Sequence, residues 1–415
     1  MTVTRMNISN EVHDNFVKTH VNGDMLQLST WADTKRLTGW YSRRIAVGRD
    51  DEIAGVGQLL FKRVPKTPYT MCYVSRGFVC DYHDKEVVTA LVDAAIEVAR
   101  REKSYSIKID PDVEVDTVPG LVEFMNTLGF VHKGFKDGLH PDYIQPRMTM
   151  ITNIDMDEDA LIQSFEKRNR STVKQSLKKG VQCEIGTRED LKIFAQLMKE
   201  TGERDGFLVR DISYFETIYD ALNPAGDAVL FLTKLVPDTV LQNLNTTLKS
   251  NRDEKEKVLS KKQTKKTENQ LKDIDIIIEK IQKQIKEMEE LKETHPDGKY
   301  LSGAILTFCG KKAYYLYGAS SNDYRSYLPN HKMQIEMMKY ARSKGAVSYD
   351  FGGTDNNPDK DSEHYGLWQF KKSWGTQLSE KIGEFDYILN KPVYTLIEVA
   401  KPKVKALTKK INKRR

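Results

Sequence analysis

Tyr300-Leu301-Ser302-Gly303-Ala304-Ile305-Leu306-Thr307-Phe308-Cys309-Gly310-Lys311-Lys312-Ala313-Tyr314-Tyr315-Leu316-Tyr317 reads as two strands, 301–308 and 313–317, turned at Lys311-Lys312. A polar loop follows, then a helix over 331–343 and a strand over 347–351. The same order occurs earlier in the chain. Strands over 43–48 and 53–63 are turned by Arg49-Asp50-Asp51, and a third covers 70–74. A helix over 86–103 carries Val87, Ala90, Leu91, Ala94, Ala95 and Val98 on one face, and a strand over 104–109 closes at Asp110-Pro111. Gly55 lies 55 residues before Asp110, and Gly303 lies 47 before Asp350. One α/β unit is therefore written twice.

A segment of different character interrupts the second unit. Leu241, Leu244, Leu248, Asn251, Lys255 and Val258 are spaced three and four apart, and Leu271, Ile274, Ile278, Ile281, Ile285 and Met288 repeat the pattern. Polar residues 261–270 separate the runs, and Pro237 and Pro296-Asp297-Gly298 bracket them, as in an antiparallel two-stranded coiled coil. Arms of about 25 residues would each span roughly 35–40 Å. The order of the repeated elements resembles the GNAT acyltransferase core. The expected fold class is α/β, with two GNAT-like domains and an inserted antiparallel coiled-coil helical hairpin. A GNAT enzyme that uses coenzyme A carries an Arg/Gln-x-x-Gly-x-Gly/Ala loop, whose backbone N–H groups meet the pyrophosphate. The corresponding loops here read Ser75-Arg76-Gly77-Phe78-Val79 and Ser320-Ser321-Asn322-Asp323-Tyr324-Arg325, which argues for an acyl donor other than acyl-CoA.

The 415 residues are 39% apolar and 30% charged, enough for two or three domains with ample core. No apolar run reaches the length of a membrane-spanning helix, residues 1–10 lack the layout of a secretory signal, and the four cysteines form no CxxC pair. The eight histidines are scattered, so no metal site is expected and the compartment expected is cytoplasmic. The net charge of +6 is concentrated in residues 400–415, which hold eight Lys or Arg and no acid. That tail suits an anionic membrane surface or a nucleic acid, and equally a solvated terminus.

Three stretches carry candidate chemistry. The first, Gly366-Leu367-Trp368-Gln369-Phe370-Lys371-Lys372-Ser373-Trp374-Gly375, reads as an aromatic-walled, cation-bearing turn, or as a packing segment with solvated lysines. In the second, Lys167, Arg168, Arg170, Lys174, Lys178 and Lys179 crowd a predicted helix ending at Gly180, suiting a phosphate partner, with Arg204, Asp205 and Arg210 close behind. In the third, strand alternation places Tyr315 and Tyr317 on one face, lining a groove or packing in the core. Asp110 stands at a strand end, as a proton acceptor or as a turn residue before Pro111.

The basic run 165–180, Ile144-Gln145-Pro146-Arg147-Met148, Glu203-Arg204-Asp205-Gly206, Tyr315-Leu316-Tyr317-Gly318-Ala319-Ser320-Ser321, Tyr349-Asp350-Phe351-Gly352-Gly353 and Phe370-Lys371-Lys372 together resemble the Fem family of tRNA-dependent peptidyltransferases, which build peptidoglycan cross-bridges. The resemblance spans essentially the whole chain. It implies glycyl-tRNA as co-substrate with no bound cofactor. The acceptor it implies is the lysine side chain of the lipid II stem peptide, glycylated at the first bridge position from the inner membrane face. A later bridge position and an acyl-CoA-dependent N-acyltransferase are the alternatives. The organisation implied is a first domain over 1–151 completed by about 386–400, a second over 152–237 and 297–385, the arm over 238–296 and the basic tail over 400–415. By resemblance, phosphate contacts fall on Lys35 (with Arg36 as the alternative) and Arg210, and substrate-lining tyrosines on Tyr105, Tyr315 and Tyr317. The acid falls on Asp110, and the pair credited with transfer on Phe370 and Lys371. Lys167, Arg168, Arg170, Lys174 and Lys178 are the tRNA candidates. Membrane contact through the tail and contact with related bridge transferases complete the expected partners. The chemistry is amine attack on an activated ester, in which a fixed cation such as Lys371 steadies the oxyanion. Asp110 or a substrate phosphate serves as base.

Overall fold

The computed structural model describes residues 2–262 and 264–400, so the basic tail beyond Ala400 lies outside the described residues. Among these residues the strands form two mixed sheets. The first contains β1 (Thr4–Met6), β2 (Trp40–Arg49), β3 (Glu52–Arg63), β4 (Thr70–Val74), β5 (Val79–Cys80), β6 (Ser104–Ile109) and β7 (Phe130–His132). The second contains β8 (Met148–Asn153), β9 (Val181–Gly186), β10 (Ala228–Leu235), β11 (Lys299–Cys309), β12 (Lys312–Ser320), β13 (Ser348–Gly353) and β14 (Gln377–Glu380). A last strand, β15 (Phe385–Ile388), returns to the first sheet between β6 and β7. The 151/152 boundary expected from the sequence cuts through β8, whose partners β13 and β14 both belong to the second sheet.

Local chemistry sets these elements. Asp50 and Asp51 both take positive φ (48° and 68°), the two-residue turn that matches strand twist in a hairpin. The helix Lys85–Arg101 starts where Asp84 accepts the Val87 N–H, and its Val87, Leu91 and Ala95 pack on Leu59, Phe61 and Ile107 of the first sheet. On one face of the second sheet, the helices Glu158–Ser164, Lys167–Ser176 and Pro329–Ser343 enclose Phe165, Tyr349, Phe351 and Trp374. Its other face meets the first sheet through an N-terminal wedge. Val17, Met25, Leu28 and Trp31 fill the space between Ala46, Val56 and Val79 on one side and Leu230, Ile305 and Ala319 on the other.

The duplicated α/β units expected from the sequence are therefore present, with the helical hairpin between β10 and β11. Its arms are Pro237–Leu259 and Lys265–Thr294, seamed by buried Leu248, Val258, Ile274, Ile281 and Met288. Lys255 and Asp275 bridge the arms at 2.5 Å. The root packs Val240, Met288 and Leu291 on Val181, Leu235 and Leu301, so the hairpin leaves the body from a fixed base.

The returning β15 brings acids to a buried cation. The Lys108 ammonium, 4% exposed, meets Asp386 at 3.1 Å, Glu398 at 3.3 Å and Glu384 at 3.9 Å. Burial alone would lower its pKa, but Asp386, Glu398 and Glu384 outweigh burial and raise it. The Lys108 contribution to stability is thus complete at neutral pH and is lost only as alkaline solution deprotonates the amine. Replacing Lys108 by Met leaves buried carboxylates without their cation. Urea unfolding at pH 7 should show a loss of about 3–5 kcal/mol.

Candidate active site

β12 and β13 run parallel and pair only at Lys312–Ser348, Ala313–Tyr349 and Tyr314–Asp350, after which they part. Both strands are irregular at that point. On β12 the register against β11 slips, so that Leu306 opposes Tyr315 while Ile305 opposes Tyr317, and Leu316 is the extra residue of a bulge. The bulge corrects the expectation that Tyr315 and Tyr317 share a face. Tyr317 stays on the side of Phe215, at 5.5 Å between rings, whereas Tyr315 turns to Phe351 on the other side, at 6.2 Å. On β13 the register against β8 slips between Asp350 and Gly353, and Gly352 takes φ +80°, a conformation that favours glycine.

A cavity of about 570 Å³ opens beside the parting strands, between the two sheets. The N-terminal wedge, Arg76, Asp112, Lys312, Tyr314, Asp350 and Lys381 line it. Asp112 accepts from Lys381 at 2.7 Å and Lys312 at 2.9 Å, and although burial opposes its charge these cations and Arg76 hold it well below the usual carboxylate range. Asp24 is raised by burial and by Asp112, and accepts from the Leu26 N–H at 2.8 Å and the Tyr314 hydroxyl at 3.2 Å. Asp350 is also raised by burial. Its Oδ1 accepts the Gly352 N–H at 2.6 Å, while Oδ2 has no hydrogen bond among the described residues. Thr149, opposite Gly353 on β8, lines the same wall with a buried hydroxyl that has no hydrogen-bond partner among the described residues.

The expected site residues fall into separate groups. Tyr315 lines the cavity. Lys371 and Phe370 lie on the helix Tyr365–Lys372, where a turn was expected; Phe370 and Trp374, one helical turn apart, face the same core around Phe351. Lys371 Nζ donates to the Gly353 carbonyl at 2.5 Å, tying it to the cavity wall. Burial pulls its pKa down to about 8, against the pull of Asp350.

Lys35, Arg210 and Tyr317 come together around two aromatics that the sequence did not single out as ligands. Lys35 Nζ sits 3.8 Å from the Trp31 ring and 5.8 Å from Tyr214, the Arg210 guanidinium is 5.4 Å from Tyr214, and the Tyr214 and Tyr317 hydroxyls are 3.0 Å apart. Neither cation has an ion-pair partner among the described residues, and burial together with Arg210 lowers Lys35 to about 8. Two unpaired cations over aromatic walls suit an anion of higher charge than one carboxylate. The spacing of Tyr214 four residues after Arg210, matching Trp31 four before Lys35, was the available signal. Arg36 instead pairs with Asp33 at 2.7 Å.

Tyr105 and Asp110 stand elsewhere. Tyr105 donates to Glu398 at 2.6 Å, in the Lys108 cluster of the first sheet. Asp110 does not line the large cavity: it is 5% exposed, accepts the Arg76 N–H at 3.0 Å, and has the Arg76 guanidinium 3.8 Å away. Burial outweighs Arg76 and pushes its pKa up to about 7. On the basic helix, which ends at Ser176 rather than at Gly180, Lys167, Arg168 and Lys174 are exposed and Arg170 donates to Gln163 at 2.7 Å; Lys178 is exposed in the turn that follows. Arg204 is engaged structurally, donating to the Ser320 carbonyl at 2.9 Å and pairing with Asp205.

Comparison with known proteins places these features in one context. Residues 8–402 match the FemAB family. The chain is 64% identical over 410 residues to the lipid II:glycine glycyltransferase of Staphylococcus epidermidis, covering 99% of both chains. It is 60% identical over 415 residues to the protein of that name from Staphylococcus aureus, again covering 99% of both. A crystal structure of FemX superposes with a TM-score of 0.86 at 61% identity, over 95% of this chain and 100% of that one.

The raised pKa of Asp110 has a consequence for stability. Between the unfolded carboxyl value, about 4, and the folded value near 7, the native state holds the extra proton, so this group makes stability fall as pH rises. Asp110→Asn keeps an oxygen for the Arg76 N–H and removes the titration. Unfolding midpoints measured from pH 4 to 8 should decline less steeply for the variant than for the unmodified protein.

Proposed function

The chain belongs to the FemAB family, and on that footing we propose that it transfers glycine from glycyl-tRNA to the lysine ε-amino group of the lipid II stem peptide, adding the first residue of the interpeptide bridge. The observation that carries this reading is identity of 60–64%, end to end, with proteins named lipid II:glycine glycyltransferase. The protein works at the inner membrane face. No helix among the described residues is long and apolar enough to cross a membrane. The basic tail supplies one membrane contact, and related bridge transferases are further partners.

Lys35 and Arg210 hold the acceptor diphosphate, with Trp31, Tyr214 and Tyr317 walling it. Lys167, Arg168, Arg170, Lys174 and Lys178 meet the tRNA backbone. The stem peptide enters the cavity towards the parted strands. There the geometry favours Asp350 over Asp110 as proton acceptor, because Asp350 lines the cavity with one oxygen open while Asp110 is walled behind Arg76. The acceptor ammonium gives one proton to Asp350. The free amine forms the C–N bond to the ester carbonyl, whose oxygen becomes the oxyanion. As the ester C–O bond breaks, the leaving ribose oxygen takes a second proton from the nitrogen. Lys371, still largely protonated at pH 7 with its pKa near 8, leaves the Gly353 carbonyl to face the oxyanion. The ester is already activated, so no covalent enzyme intermediate is needed.

Labelled glycine on tRNA, offered with lipid II that carries no glycine and with lipid II that carries one, tests the reaction. Labelling of the unmodified acceptor alone is expected; labelling of only the glycylated acceptor assigns a later step, and labelling of neither overturns the reading. Lys371→Ala should lower kcat by about 10²–10³ with little change in either KM. Asp350→Asn should lower kcat by at least about 10², and the loss should shrink for an acceptor whose ε-amine is replaced by an aminooxy group, neutral at pH 7. Asp110→Asn should leave kcat within about threefold. A reversed order of the two acid variants would restore Asp110 to the proton transfer.

A further inference from the structure

The Lys35–Arg210 site lies at an exposed rim, and two short segments flank it. One is the turn Arg36–Thr38, directly after Lys35; the other is the link 206–211 between the helices Leu191–Asp205 and Ile212–Leu222, which carries Arg210. Each holds apolar side chains out in solvent: Leu208 is 99% exposed, Leu37 60% and Phe207 45%. A single exposed leucine is ordinary. Here three large apolar side chains stand within three residues of the two unpaired cations of one anion site.

Three of the neighbouring acids are already engaged. Asp33 is held by Arg36 at 2.7 Å, Asp205 by Arg204 at 2.9 Å, and Asp211 caps its helix by accepting the Ser213 N–H at 2.9 Å. The rim therefore presents apolar tips beside cations whose charge is not cancelled, the composition that settles at the boundary of headgroups and acyl chains.

We infer that Leu37, Phe207 and Leu208 dip into the surface of an anionic bilayer and hold the Lys35–Arg210 site at headgroup depth. The inference rests on the reaction read above. A diphosphate bonded to a membrane lipid lies at the headgroup level, so the cations that bind it must reach that level with the protein still outside the bilayer. Apolar tips within three residues of those cations set that depth. The docking surface is thus built around the acceptor site, independently of the basic tail.

The test uses the full chain with Leu37→Ser and Leu208→Ser, whose exposure makes a folding defect unexpected; an unchanged unfolding midpoint checks this. Vesicles of phosphatidylglycerol and phosphatidylcholine in equal parts are the probe. The double variant should bind them at least about tenfold more weakly, as expected for two leucine side chains kept in water. KM for vesicle-embedded lipid II should rise by a similar factor, while kcat and KM for a soluble diphosphate-linked acceptor without the lipid chain stay unchanged. The weakening should persist when residues 401–415 are deleted. Unchanged vesicle binding, an equal effect on both acceptors, or a rise in KM for tRNA instead would each overturn the inference. Failure of the unmodified protein to glycylate either acceptor would overturn the reaction itself, a result separate from these.

Discussion

Beyond Tyr314 and Asp350, the backbone groups of β12 and β13 lose the partners that a parallel ladder would give them. Poorly hydrated amides and carbonyls must find other partners. At the end of β13 they find side chains: the Gly352 N–H goes to Asp350 and the Gly353 carbonyl to Lys371. A carboxylate and an ammonium are thereby fixed on either side of one two-glycine turn, at the mouth of a cavity. The Cβ that Gly352 lacks would lie 3.9 Å from Lys371 Nζ, a measure of how closely the cation approaches the turn. The same break in pairing that opens the cavity thus positions the two groups proposed to move the proton and steady the oxyanion.

The first unit meets the equivalent problem and closes it. Past Val74 and Ile109, the Arg76 N–H bonds Asp110 and the Asp112 N–H bonds the Arg76 carbonyl at 3.0 Å. The wedge then seals the seam, with Gln27 donating to the Ser75 carbonyl at 2.6 Å and accepting the Gln58 N–H at 2.7 Å. One unit keeps its strand ends apart while the other contributes Arg76 and Asp112 as a wall. Asp110 and Asp350 hold matching places in the repeat, but of the two Asp350 lines the large cavity, whereas Asp110 borders only a small pocket of about 10 Å³ behind Arg76.

What could be read from the sequence follows the range of the interaction concerned. Strand β4 has the bounds read from its pattern, and the coiled-coil arms declared themselves because i,i+3 and i,i+4 spacings are local. The Leu316 bulge depends on register against β11, which no pattern within β12 encodes, so the faces of Tyr315 and Tyr317 could not be separated. Burial of Asp110 depends on Arg76, 34 residues away, and on a wedge from the other end of the unit. The family resemblance named Lys35 and Arg210, whereas their convergence on Tyr214 is tertiary and no local pattern encodes it. The segment 366–375 looked like a turn because its two Gly and scattered aromatics mask a short helix.

On the proposed reaction, the cavity between the two sheets holds the acceptor amine beside Asp350. A lipid II analogue with a photoreactive diazirine in place of the ε-amine measures that position directly, through the peptide it labels after irradiation. Labelling confined to the peptides containing Thr149 and residues 348–353 is the predicted result. Labelling around Tyr105 and Glu398, or on the hairpin arms, would contradict the account and move the reaction out of the cavity.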